Sequence, residues 1–137
     1  MSDFPKSILH ADDDPMIRDI VERALRGNEN LQYKTCEDGA ELIKVAEEFQ
    51  PELILLDLSM PGMDGVDVLE TIHNAADKFS ASIILFTGHT NIEMTPEYEK
   101  LGVIGVLHKP VSPGVLPERI RFFWVESQGR AGIPDQV

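Results

Sequence analysis

Basic residues are scarce in this chain. Twelve Lys and Arg stand against 24 Asp and Glu, giving a formal net charge of −12. A surface for nucleic acid or anionic lipid needs a basic face to neutralise phosphates, so neither partner is expected. Cysteine is nearly absent as well. With Cys36 alone there is no disulfide framework and no thiolate cluster for zinc, and this residue reads as a small packing group near a strand end. No apolar run approaches the roughly 20 residues that span a bilayer, and the first residues, MSDFPKS, lack the basic and apolar regions of a signal peptide. A cytoplasmic location is expected. Repeats, low-complexity tracts and internal linkers are also missing. A chain of 137 residues is enough for one three-layer core. Residues 1–126 are expected to form it, 127–137 to be a mobile tail, and any output to lie in another protein.

What the chain does have is acid at the ends of apolar runs. Residues Leu53 to Gly65, LILLDLSMPGMDG, carry Asp57 at the end of a buried-strand pattern that breaks at once into a Pro/Gly turn. Asp12, Asp13 and Asp14 follow the apolar run Ile8 to Ala11 in the same way. Open α/β sheets keep their sites at the carboxyl ends of their strands, so two strands deliver acids to one place. Such a cluster repels itself unless something positive occupies it, and Mg²⁺, a hard cation with oxygen ligands, is the natural occupant.

Alternation along the chain sets the architecture. Asp14 followed by Pro15 is a cap and first helical residue, and Ile17, Ile20, Val21, Ala24 and Leu25 give one apolar face before Gly27. The pattern predicts strands at Ile8 to Ala11, Tyr33 to Cys36, Leu53 to Leu56, Ser82 to Phe86 and Val103 to His108. It predicts helices at Pro15 to Arg26, Gly39 to Phe49, Asp64 to Asn74, Thr95 to Leu101 and about Pro113 to Glu126, the last beginning late or bending because of Pro117. Asp64 reads as the cap of the third helix. Right-handed crossovers then give an α/β, doubly wound five-stranded parallel sheet with five helices, and the order 2-1-3-4-5 is expected by analogy with known flavodoxin-like sheets.

In that order Asp12, Asp13 and Asp57 share one crevice with Thr87 and Lys109, which end the fourth and fifth strands. The acidic pair, LLDLSMPGMDG, the Thr of FTG and the Lys-Pro of HKP together resemble the receiver domain of two-component response regulators, over about residues 6 to 125. The resemblance implies a phosphoacceptor signalling domain that catalyses only its own phosphorylation and autodephosphorylation. Asp57 would take a phosphoryl group from a sensor histidine kinase or histidine phosphotransfer protein. Asp13 would coordinate Mg²⁺ directly, Asp12 through a water, and Ser59 through its backbone carbonyl. Lys109, before a Pro that the family holds cis, and Thr87 would each bind a phosphoryl oxygen. Ser59 and His89 occupy positions that in the family modulate hydrolysis of the aspartyl phosphate, with a solvent-facing loop residue as the plain alternative for His89.

His10 and His73 read as packing or surface residues, and His108 as a strand side chain turned away from Lys109. Two features depart from the family. Val106 stands where a switch Tyr or Phe is usual, and Pro96 confines the fourth helix. With the length of the chain, the resemblance gives the expectation of a stand-alone receiver acting in a phosphorelay through a downstream protein target, and Phe122 of the last helix is expected at a partner or phosphorylation-dependent dimer face. Ile120, Phe123 and Trp124 are expected to pack inward. Two other readings remain at this stage: a haloacid dehalogenase-type hydrolase, from Asp12 and Asp14 after a strand, and a receiver-like binding module that is never phosphorylated.

Overall fold

The computed structural model describes residues 3–60 and 65–132, so the expected cap Asp64 and the end of the Pro/Gly turn lie outside the described residues. Five strands, β1 Ser7–Ala11, β2 Gln32–Cys36, β3 Leu53–Leu56, β4 Ser82–Thr87 and β5 Val103–His108, form one parallel sheet in the order β2-β1-β3-β4-β5. Between and after them run α1 Pro15–Leu25, α2 Gly39–Phe49, α3 Gly65–Asn74, α4 Pro96–Lys100 and α5 Leu116–Gly132.

Side-chain parity along the strands sorts the core into two layers. Ile54 and Leu56 of β3 join Leu42 and Ala46 of α2 and Val68, Leu69 and Ile72 of α3 on one face. Leu53 and Leu55 join Val21 and Leu25 of α1 and Leu116, Ile120 and Trp124 of α5 on the other. The weak β2 sequence lies at an edge, as expected, with only Cys36 fully buried among its five residues. Cys36 packs in the first layer.

The helix ends follow their sequence signals. Asp14 caps α1 by accepting from the Met16 amide at 2.9 Å, and Thr95 caps α4 by accepting from the Tyr98 amide at 3.1 Å. Gly102, with φ of 95°, reverses the chain between α4 and β5 in a conformation that a Cβ would disfavour. At the other end the expectation needs correction. The last helix starts at Leu116, late as Pro117 implied, but continues to Gly132. Residues 127–132 therefore belong to α5 and not to a tail. Polarity misled here: Gln128 and Arg130 are good helix formers, and a helix already nucleated on a packed face extends through them.

Candidate functional site

The strand ladders run past the strand ends and carry the site with them. The Asp12 amide donates to the Cys36 carbonyl at 3.1 Å, the Asp57 amide to Ala11 at 3.0 Å and the Lys109 amide to Thr87 at 2.7 Å. Consequently Asp12, Asp57, Thr87 and Lys109 stand side by side at the carboxyl edge of the sheet. Asp12 and Thr87 are fully buried and Asp57 is nearly so. Asp13 is exposed. Asp12, Asp13 and Asp57 each offer an oxygen within 4.8 Å of the others.

One cation reaches into this group. Lys109 Nζ donates to Asp12 Oδ2 at 2.7 Å and lies 3.4 Å from Asp57 Oδ2. Its ammonium also sits 5.3 Å from the centre of the Phe86 ring, and the Lys109-Pro110 peptide is cis. The remaining oxygens are held locally: Asp57 Oδ1 accepts from the Ser59 amide at 2.9 Å, and Asp12 Oδ1 from the Asp14 amide at 3.0 Å. Each carboxylate is thereby fixed by its own turn, with its second oxygen turned toward Lys109.

The two buried acids are driven apart. Burial raises Asp12, but contacts with His10, Lys109 and the Asp14 amide outweigh it and hold the carboxyl at about 2. Asp57 is raised by burial and by the charge of Asp12, against the pull of the Ser59 amide and Lys109. Asp12 is thus the more strongly held anion, and Asp57 the one whose charge burial disfavours. Three carboxylates and no softer donor fit a hard divalent ion such as Mg²⁺.

The rim is made by Thr87, His89 and Ser59. Thr87 Oγ1 accepts from the His89 amide at 3.0 Å, and His89 Nε2 lies 3.2 Å from Ser59 Oγ. His89 therefore spans the mouth of the crevice from the loop after β4 to the loop after β3. Asp14, committed to capping α1, is not part of the acidic cluster. The pairing on which the dehalogenase reading depended is absent from the described cluster.

Three residues do more than the sequence indicated. Arg18 of α1 donates to the Asp12 carbonyl at 2.7 Å and to Glu37 at 2.9 Å, fixing the loop after β1; only its place one turn after the Asp14 cap could have hinted at this. His108 lies 2.8 Å from the Ile92 carbonyl through Nε2, tying the end of β5 to the loop after β4. His10, expected as ordinary packing or surface, is fully buried beside Asp12 and lies 3.2 Å from the Tyr33 hydroxyl through Nδ1.

A crevice of acids, ammonium and hydroxyl at the switch point of a doubly wound parallel sheet defines the class of protein. The chain matches the response regulator receiver domain family over residues 8–121. It is 31% identical over 121 residues to the DNA-binding response regulator MtrA of Mycolicibacterium smegmatis, covering 88% of this chain and 51% of MtrA. It is 34% identical over 99 residues to the DNA-binding transcriptional regulator NtrC of Escherichia coli, covering 72% of this chain and 20% of NtrC. Among solved structures, the receiver domain of the response regulator AraT from Geobacillus stearothermophilus superposes with a TM-score of 0.71 at 28% identity, covering 91% of this chain and 97% of that one. A Vibrio cholerae chemotaxis protein shares the fold at a TM-score of 0.71 and 24% identity, covering 85% and 97%. This chain belongs to the response regulator receiver domain family of two-component systems. Receiver domains are phosphorylated on Asp, bind Mg²⁺ at an acidic pocket and interact with histidine kinases and downstream targets. The chain spans about half the length of MtrA and a fifth of NtrC. Among the described residues, no helix is long and apolar enough to cross a membrane.

Proposed function

We propose that Asp57 is the phosphoacceptor of a signalling switch, and that Asp12, Asp13, Thr87 and Lys109 serve its chemistry. The observation that carries this reading is the placement of Asp57 Oδ2 3.4 Å from Lys109 Nζ, beside the oxygens of Asp12 and Asp13. The carboxylate of Asp57 attacks phosphorus, the phosphorus–nitrogen bond of a phosphohistidine breaks, and the imidazole leaves with a proton. Asp13 and Asp57, with the Ser59 carbonyl, would hold Mg²⁺, and Asp12 would reach it through water. Bound there, the ion offsets repulsion between the anionic nucleophile and the anionic donor. Lys109 holds one phosphoryl oxygen as a mobile point charge. Thr87 turns its hydroxyl to another, drawing the loop after β4 inward and converting the acyl phosphate into a change of shape. Ser59 and His89, already linked across the mouth, control the access of hydrolytic water.

The phosphoryl source is a sensor histidine kinase or a histidine phosphotransfer protein, and the output is altered binding of a protein target in the cytoplasm. The acidic surface supports a protein partner over nucleic acid for this domain itself. Phosphorylation-dependent dimerisation belongs to the same proposal. The deciding experiment is incubation with Mg²⁺ and a small acyl- or amidophosphate, followed by peptide mass mapping. One phosphoryl group on Asp57, abolished in Asp57→Asn, is the expected result. A chain that gains no mass is a binding module that is never phosphorylated, and a label elsewhere removes Asp57 from its role.

A further inference from the structure

His10 is fully buried on β1, its parity placing it with Ile8 on the α1 and α5 side of the sheet. Its Nε2 has no hydrogen-bond partner, the only such buried side-chain atom among the described residues. That nitrogen faces Asp12 Oδ2 at 3.6 Å, beyond hydrogen-bond reach. The same oxygen is held by Lys109 at 2.7 Å. A carboxylate only accepts, so a ring proton belongs on Nε2, and the Tyr33 hydroxyl pairs with Nδ1. An N–H is therefore aimed at Asp12 from 3.6 Å, near enough to favour the anion electrostatically but too long for a good hydrogen bond.

An unsatisfied buried donor is costly and needs a reason. The geometry points to one: we infer that His10 is a positioning residue that takes over Asp12 Oδ2 when Lys109 leaves it for the phosphoryl group. This inference rests on the phosphoacceptor reading above. Departure of Lys109 would otherwise strip a fully buried carboxylate of its shortest contact. A movement of about 0.6 Å brings the His10 N–H into range. One orphan in the resting state is thus exchanged for a satisfied bond in the phosphorylated state, which favours release of Lys109. No change of protonation is involved.

The test compares wild type, His10→Leu and His10→Gln for calorimetric binding of beryllofluoride, a phosphoryl mimic, in the presence of Mg²⁺. The Leu variant, which has no donor, should bind about tenfold more weakly, while the Gln amide should retain most of the affinity. Because His10→Leu also takes the partner from the Tyr33 hydroxyl, stability of the unliganded protein is compared in a Tyr33→Phe background, where the double variant should unfold no earlier than Tyr33→Phe alone. In ¹⁵N-labelled wild type, the His10 Nε2–H proton should move downfield and exchange more slowly on saturation. If the Leu variant does not fold, the Gln variant and the proton resonance decide. Wild-type affinity in the Leu variant, or an unmoved Nε2–H in saturated wild type, overturns the inference and leaves the phosphoacceptor reading standing. Wild type that binds no beryllofluoride removes both.

Discussion

Asp57 and Asp12 lie on the same Lys109, yet the fold treats them oppositely. Asp57 is raised from the ordinary 3.8, so ionising it disfavours the folded state. For a group raised on folding, stability is fully present below 3.8 and is lost as pH rises through the higher folded value. In chelator, Asp57→Asn should therefore unfold at higher urea than wild type at pH 7, and the advantage should vanish below pH 3.8. Equal midpoints at pH 7 would mean that Lys109 fully compensates Asp57. Asp13, exposed and engaged in no cap, is free to act on an ion. Mg²⁺ should raise the melting temperature of wild type by mass action, and Asp13→Ala should lose most of that increment. If the two proteins shift alike over the same concentration range, the acidic pair is not the ion's site.

Among the elements, the loop after β4 and strand β5 decide how the switch is read. Val106 is half-buried on β5 and has one stiff torsion, so it has no ring to move between buried and exposed positions. The loop from Gly88 to Met94 contains more anchorage than its turn-rich sequence implied. Ile92 packs against the α2 and α3 layer, and His108 reaches its carbonyl from β5. Both Thr87 and His108 can therefore pass a movement of this loop to the end of β5. On adding beryllofluoride and Mg²⁺, protection from hydrogen exchange should rise most in residues 88–94 and little around Val106. A largest change within Val103 to His108 would show that β5 carries the signal despite its missing aromatic. Strand β5 also carries Gly105, where a Cβ would meet the Phe123 ring at 2.5 Å. Gly105→Ala should cost about 1–3 kcal/mol in urea unfolding, and less in a Phe123→Ala background, because the ring and the added methyl compete for one space.

For the molecule as a whole, the two core layers close over the central strands β1, β3 and β4, and the exposed remainder of the described residues includes a few large apolar side chains. Phe122 and Val125 of α5 and Met94 of the loop are exposed, whereas Ile120 and Trp124 on the same helix are buried and Phe123 is half-buried. Phe122 stacks edge-on against Phe123 with ring centres 5.5 Å apart. The ring that blocks Gly105 is therefore joined to an exposed neighbour, linking the outer surface of α5 to β5. A partner that covered Phe122 would bear on the element tied through His108 to the loop beside Thr87.

The sequence by itself determined the alternation of elements and the residues at the strand ends, while the strand order was expected from known doubly wound sheets and seen in the structure. Apolar period, Pro and Gly placement, and acids at strand ends are local signals, and parallel pairing leaves few ways to combine them. The Asp14 and Thr95 caps were legible for the same reason: the cap and the amide it serves are two or three residues apart. Tertiary structure alone decided what depends on distant partners. Lys109 lies 97 residues from Asp12 in the chain, and only the completed sheet shows that it binds Asp12 more closely than Asp57. His10 looks like a lone polar interruption of an apolar strand until Tyr33 and Asp12 close around it. The extension of α5 to Gly132 likewise depends on packing that a polar sequence conceals. Local chemistry fixes which groups arrive at the crevice; distances between strands fix which of them share a proton, a charge or an ion, because those interactions decay over a few ångströms that sequence separation does not encode.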